Sequence, residues 1–230
     1  MDSDKESQYN IWHLFEADEQ ELYLKKISTF LRGGLWCAEL GSFVQFGGDV
    51  EGTQPFGIFV SCWHRSEGKP TPKAWEIFGG SGNGFALRAQ PSFMQSLANQ
   101  INADELRVRF EQVRYLGVGE EPKDAAFEVA PTHAHEEEMR LAISFTDNAD
   151  LNDHKRKEQI RSKIPDVSSN PDALPEFKRM TFVDSEGYEA IILPISPLDL
   201  IQEIVIGPTV CESAKAKFIQ RLGFEIAVTP

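Results

Sequence analysis

Ile58 to Arg88 reads IFVSCWHRSEGKPTPKAWEIFGGSGNGFALR. An apolar, β-branched and aromatic run leads into Cys62-Trp63, as a strand does. A polar loop follows, then a short turn carrying Trp75 and Phe78, a glycine loop and a second strand, Gly84 to Ala89. Two tryptophans beside a glycine run imply a shaped site, where a backbone or a flat ligand comes close.

The same alternation of short strands and turns continues outward. Ile11 to Phe15 reads as a first strand and Ala17 to Leu31 as a helix ended by Gly33-Gly34. Leu35 to Glu39 reads as a strand, Phe43 to Pro55 as a glycine-rich loop, and Phe56 to Trp63 as the strand quoted above. Ser92 to Ile101 reads as a helix and Leu106 to Tyr115 as a strand. Glu136 to Phe145 is the clearest strand. Met139, Leu141, Ile143 and Phe145 fall on one face, and Glu136, Glu138, Arg140 and Ser144 on the other, because side chains alternate. Tyr188 to Ile195 and Leu200 to Ile206 read as strands, Thr209 to Leu222 as a helix, and Glu225 to Val228 as a last strand. Consecutive strands outnumber helices, which predicts a single α+β domain over residues 1–230 with a mostly antiparallel sheet and flanking helices. Residues 147–175 are charged and poor in apolar side chains, the composition of a mobile insertion.

Composition narrows the function. The chain has 230 residues, 41% of them hydrophobic, enough for a substantial core. No apolar run approaches the roughly 20 residues of a membrane span. The acidic start MDSDKESQYN is unlike a secretory signal, so the expectation is a cytoplasmic protein with no membrane partner. Three separated cysteines, Cys37, Cys62 and Cys211, form neither a disulfide framework nor a zinc pattern. A net charge of −13 opposes non-specific binding to phosphate backbones. Local basic stretches run against that balance: Lys155 to Lys163, and Arg107, Arg109 and Arg114.

An ordered set of short motifs resembles a bacterial domain family of uncharacterised function. The set is W-H (Trp12-His13), D-x-E-G (Asp49 to Gly52), S-C-W (Ser61 to Trp63), W-x-x-[YF] (Trp75 to Phe78), E-x-E-x-R (Glu136 to Arg140) and L-I-x-E-I-x-I-x-P (Leu200 to Pro208). It spans about nine-tenths of the chain. Phe78 stands where the pattern has tyrosine, and Asp49 and Glu51 lie one residue closer than usual. More distantly, a first-strand His, a mid-chain aromatic and a late-strand Glu resemble the ADP-ribosyltransferases. That resemblance implies a split sheet, with NAD as substrate. It also implies His13 on a ribose, Trp75 or Phe78 on nicotinamide, and Glu203 or Glu138 steadying an oxocarbenium ion.

The residues themselves leave alternatives open. Glu136, Glu138 and Arg140 read as a carboxylate under a ribosyl cation with an arginine for phosphate, or as the solvated face of an edge strand. Asp49 and Glu51 read as a proton-sharing pair or a polar turn. Trp63, Trp75 and Phe78 read as base-stacking groups or as core. The run Gly79 to Gly84 lacks the Gly-Lys-Ser/Thr of a phosphate loop and reads as a hairpin. His133-Ala134-His135 has metal-chelating spacing but no further ligand pattern, so no metal is expected. Glu203 lies within an apolar strand and needs a partner or a job. Cys62 with His64 is set aside as a nucleophile pair on the ground that strand neighbours face opposite ways.

These observations predict N-glycosidic chemistry on a nucleotide, foremost ADP-ribosyl transfer or hydrolysis from NAD. The candidate catalytic residues are Glu138, Glu203, Asp49 and Glu51, and the candidate substrate-binding residues are His13, Trp63, Trp75, Phe78 and Arg140. Two alternatives stand beside this: a DNA nucleobase glycosylase of anti-phage defence, and a non-catalytic nucleotide-binding or protein-interaction module.

Overall fold

The computed structural model describes residues 9–16, 29–30, 33–40, 57–101, 106–145, 158, 180–185, 188–222 and 228–229. Asp49, Glu51 and all of the 147–175 segment except Glu158 lie outside the described residues.

β3 (Ile58–Ser66) organises the sheet. One of its edges pairs antiparallel with β8 (Glu138–Phe145), from Ile58 opposite Ser144 to His64 opposite Glu138. Its other edge serves two strands in succession. Phe59 and Val60 pair with β2 (Gly34–Glu39), and His64 to Ser66 pair with β1 (Asn10–Glu16). From β1 the sheet continues through β4 (Gly84–Ala89) and β11 (Ile201–Ile206) to β12 (Val228–Thr229). From β2 it continues through β10 (Tyr188–Pro194) to β9 (Thr181–Ser185). β8 pairs in turn with β5 (Leu106–Gln112). Among the described residues ten strands form this sheet, antiparallel except β11 with β12. β6 (Arg114–Tyr115) and β7 (Glu128–Val129) make a separate two-stranded parallel pair. The fold is α+β with a mostly antiparallel sheet, as the consecutive strands predict.

Helix α1 (Pro72–Phe78) starts where sequence chemistry dictates. Thr71 accepts the Ala74 N–H through its hydroxyl at 3.1 Å, and Pro72 supplies the preset φ of a first helical residue. α2 (Pro91–Ile101) lays Met94, Leu97 and Ala98 on the main core. A short α3 (Pro197–Leu200) precedes β11, begun by Pro197, and α4 (Glu212–Leu222) follows it. The main core lies on one face of the sheet, where Ile11, Phe59, Trp63, Leu141, Ile143 and Ile191 are all buried. The opposite face carries smaller clusters: Trp12 with Trp75, Ala86 and Val205; Val60 with Ala126, Phe127 and Ala142; and Trp36 with Ala190 and Ile192.

Several element expectations change. The strand expected from Glu136 begins at Glu138. Pro131 starts a 3-10 helix, Pro131–Glu136, and Glu137 takes a left-handed φ of 45° that turns the chain into β8. Glu136 is therefore not on the strand face of Glu138 and Arg140. β8 is also not an edge, since β3 and β5 flank it. The strand expected over Leu106 to Tyr115 breaks at Val113, whose N–H donates to the Glu138 carbonyl at 2.9 Å.

The glycine loop is a packing device. Gly207 N–H donates to the Gly84 carbonyl at 2.8 Å, and Thr209 N–H to the Gly82 carbonyl at 3.1 Å. A Cβ on Gly207 would meet the backbone carbonyl of Gly82 well inside contact distance. Gly207→Ala is therefore expected to cost about 1–3 kcal/mol, as overpacking against backbone does. Gly68→Ala, where a Cβ meets nothing within 4 Å, serves as the neutral control. Chemical denaturation of both variants checks the difference.

Candidate functional site

Directly opposed residues on antiparallel strands share a face, so the registers place side chains without further argument. Glu203 opposes Arg88, Arg88 opposes Trp12, Trp12 opposes His64, and His64 opposes Glu138. These five side chains form one row across β11, β4, β1, β3 and β8. Cys62 and Arg140 oppose each other in the next row. α1 sets Trp75 against Trp12 on this face, and Gly79 leaves room for the Trp75 ring, which a Cβ there would strike.

The charged end of the row is closed. Glu138 is 3% exposed and Arg140 8%. Arg140 Nε and Nη2 donate to the two carboxylate oxygens of Glu138 at 2.7 and 2.8 Å, and Nη1 donates to the Ala126 carbonyl at 3.0 Å. The fork is bidentate, the strongest geometry available to this pair. The Glu138 N–H donates to the Tyr115 hydroxyl at 2.9 Å. Burial works against the Arg140 charge, but Cys62 and Glu138 beside it outweigh that and raise its pKa. Burial, with Glu138 adding to it, pushes the Cys62 thiol well up. Burial also pushes the Tyr115 phenol up to about 12. His64 is buried, with Nδ1 2.9 Å from the Glu136 carbonyl.

The other candidates scatter. At the far end of the row Glu203 lies 3.0 Å from Arg88 Nε, close in distance but off the hydrogen-bond direction, and both side chains are part-exposed. Phe78, at the end of α1, is half-buried. His13 and Trp63 are on the core face. Their rings lie 5.0 Å apart, and His13 Nδ1 meets the Cys62 carbonyl at 2.8 Å where β3 passes from β2 to β1. Trp63 is 1% exposed and donates its indole N–H to Ser61. The structure thus brings together Glu138 and Arg140, and separately Trp75 and Glu203 on the same face. His13 and Trp63 are on the other side of the sheet.

Among the described residues no group of three or more His, Cys, Asp or Glu side chains is placed to hold a metal ion. His133 lies in the 3-10 helix with Nδ1 2.7 Å from Glu136, and the His135 side chain lies outside the described residues. No helix among the described residues is long and apolar enough to cross a membrane.

The sequence marks neither Arg88 nor Tyr115, and setting Cys62 with His64 aside as facing opposite ways is corrected by the structure. That pair had a signal: residues two apart on a strand share a face, and Cys62 and His64 do. Burial and the neighbouring Glu138 carboxylate raise the Cys62 thiol, which disfavours its thiolate form. Tyr115 had no local signal; the β5–β8 pairing, continued by the Val113 bond to the Glu138 carbonyl, brings it to Glu138.

The excursion between β6 and β7, residues 114–130, is tied by acids. Arg109 forks onto Asp124 at 2.7 and 3.1 Å and stacks on Phe127 with its guanidinium carbon 4.4 Å from the ring centre. Arg114 pairs with Glu128 at 2.8 Å, and Glu128 also accepts the Lys123 and Asp124 N–H groups. Those backbone donors, with Arg114, hold the Glu128 carboxyl down at about 2. The Arg109 bond likewise lowers Asp124.

No family model, curated protein or solved structure matches this chain.

Two outcomes follow from the buried pair and from the acids. Arg140→Met leaves Glu138 charged and unpartnered and is expected to cost about 3–5 kcal/mol, while Glu138→Leu combined with Arg140→Met recovers most of it. Urea denaturation of the single and double variants measures both. For Glu128, a folded value below the ordinary 4.5 means stability that is fully present above that pH and lost as pH falls toward about 2. Glu128→Gln should flatten the stability–pH profile in that window.

Proposed function

We propose that this chain is a non-catalytic protein-interaction module that binds a basic protein surface. The observation that carries it is the state of Glu138. A carboxylate that steadies an oxocarbenium ion must face the sugar. Both oxygens of Glu138 are instead taken by Arg140 in a place 3% exposed. The arginines bear on the class of partner. Arg88, Arg109, Arg114 and Arg140 each face an acid of this chain, which lowers what these four offer a phosphate, while Arg65 bonds Gln112 and Arg107 is exposed. The net charge of −13 steers cationic surfaces toward the chain and nucleic acid away.

A second reading has its own support. Glu203 and Trp75 share a face, Glu203 is part-exposed, and the sheet forks at β3, which leaves N-glycosidic chemistry on NAD or on DNA centred on Glu203 as the competing proposal.

Incubation with NAD, and separately with normal and modified DNA, followed by mass spectrometry of released base, distinguishes the two. The interaction module releases nothing above blank, and its complexes weaken as salt rises. Base release that disappears in Glu203→Gln would replace it with the catalytic proposal.

A further inference from the structure

The segment between β6 and β7 covers the Glu138–Arg140 cluster without joining the sheet that carries it. β6 and β7 pair with each other and stand apart from the ten-stranded sheet. Among the described residues, the segment's joints to that sheet are side chains. Arg109 of β5 forks onto Asp124, Arg140 of β8 donates to the Ala126 carbonyl, and Tyr115 receives the Glu138 N–H. Its apolar footing under the sheet is one satellite cluster apart from the main core: Ala126 and Phe127 against Val60 and Ala142, with part-buried Leu40, Ile58 and Cys62 at the margin. A ladder of strand hydrogen bonds melts with its sheet, whereas a few side-chain joints can part first.

We propose that residues 114–130 act as a strap that opens as a unit ahead of global unfolding, uncovering Glu138 and Arg140 and widening access to part-buried Cys62. The Arg109–Asp124 fork is its latch. Opening withdraws the Ala126 carbonyl from Arg140 and so releases one guanidinium donor toward solvent, while the Glu138 fork stays within β8. The strap stands independently of the proposed interaction role, since it concerns what covers the cluster and not what binds the surface.

Hydrogen exchange of the unmodified protein, read by mass spectrometry of peptides, tests the strap directly. Amides of 114–130 should exchange well before those of β3 and β8. Exchange of all three at one common rate would overturn the proposal. Thiol labelling gives a second readout, in a Cys211→Ser background that removes the exposed cysteine. Asp124→Asn should speed labelling of Cys62 by about tenfold or more, the order expected for one charge-assisted fork. Labelling of Cys37, which is fully buried on the core face, should not change. Equal acceleration of Cys37 and Cys62 would mean global unfolding and would also overturn the strap.

Discussion

The hydrogen-bonding edges of β3 constrain everything around them. One edge is committed to β8, while the other serves β2 for its first half and β1 for its second. A strand that changes partner leaves a backbone group between ladders, and a buried carbonyl without a donor is costly. His13 answers that need with a ring nitrogen at the Cys62 carbonyl. The alternation of β3 then sends Phe59 and Trp63 into the main core, and Val60, Cys62 and His64 to the opposite face. One strand thereby supplies both the largest apolar packing and the frame of the polar cluster.

That cluster is held by electrostatics in a place where water cannot help. A carboxylate and a guanidinium two residues apart on one strand meet side by side, and burial is tolerable because the fork satisfies both carboxylate oxygens. The remaining Arg140 donor reaches a carbonyl of the excursion between β6 and β7, which couples the pair to its cover. The cover is itself organised by acids: Asp124 takes Arg109 while Glu128 takes Arg114 and two backbone amides. These pairings absorb positive charge inside the molecule. They neutralise acid and arginine one for one, so the net charge of the chain stays at −13.

Much of this was legible beforehand, for specific reasons. The strict alternation from Met139 to Phe145 marks β8, and the spacing of Glu138 and Arg140 places them on one face. The short turn read around Trp75 and Phe78 is α1. Glu136 misled, because a left-handed residue at Glu137 interrupts the period and moves Glu136 into a 3-10 turn. The run from Gly79 to Gly84 read as a hairpin, but it links α1 to β4 through a 3-10 turn, and its positive φ and the approach of Pro208 account for Gly82. Trp63 and His13 looked like ligand-binding groups because aromatic and imidazole side chains serve sites and cores equally well, and local sequence does not distinguish the two.

The sequence by itself determined the elements with a clear period, the α+β class and the common face of Glu138 and Arg140. These depend on residues within a few positions of one another. The tertiary structure decided which face is buried, that Arg140 closes on Glu138 instead of reaching outward, and that His13 stands across the sheet from both. Those outcomes depend on partners 49 and 74 positions apart, His13 with Cys62 and His64 with Glu138. Register and burial, both long-range, set which of two chemically equivalent roles each side chain takes.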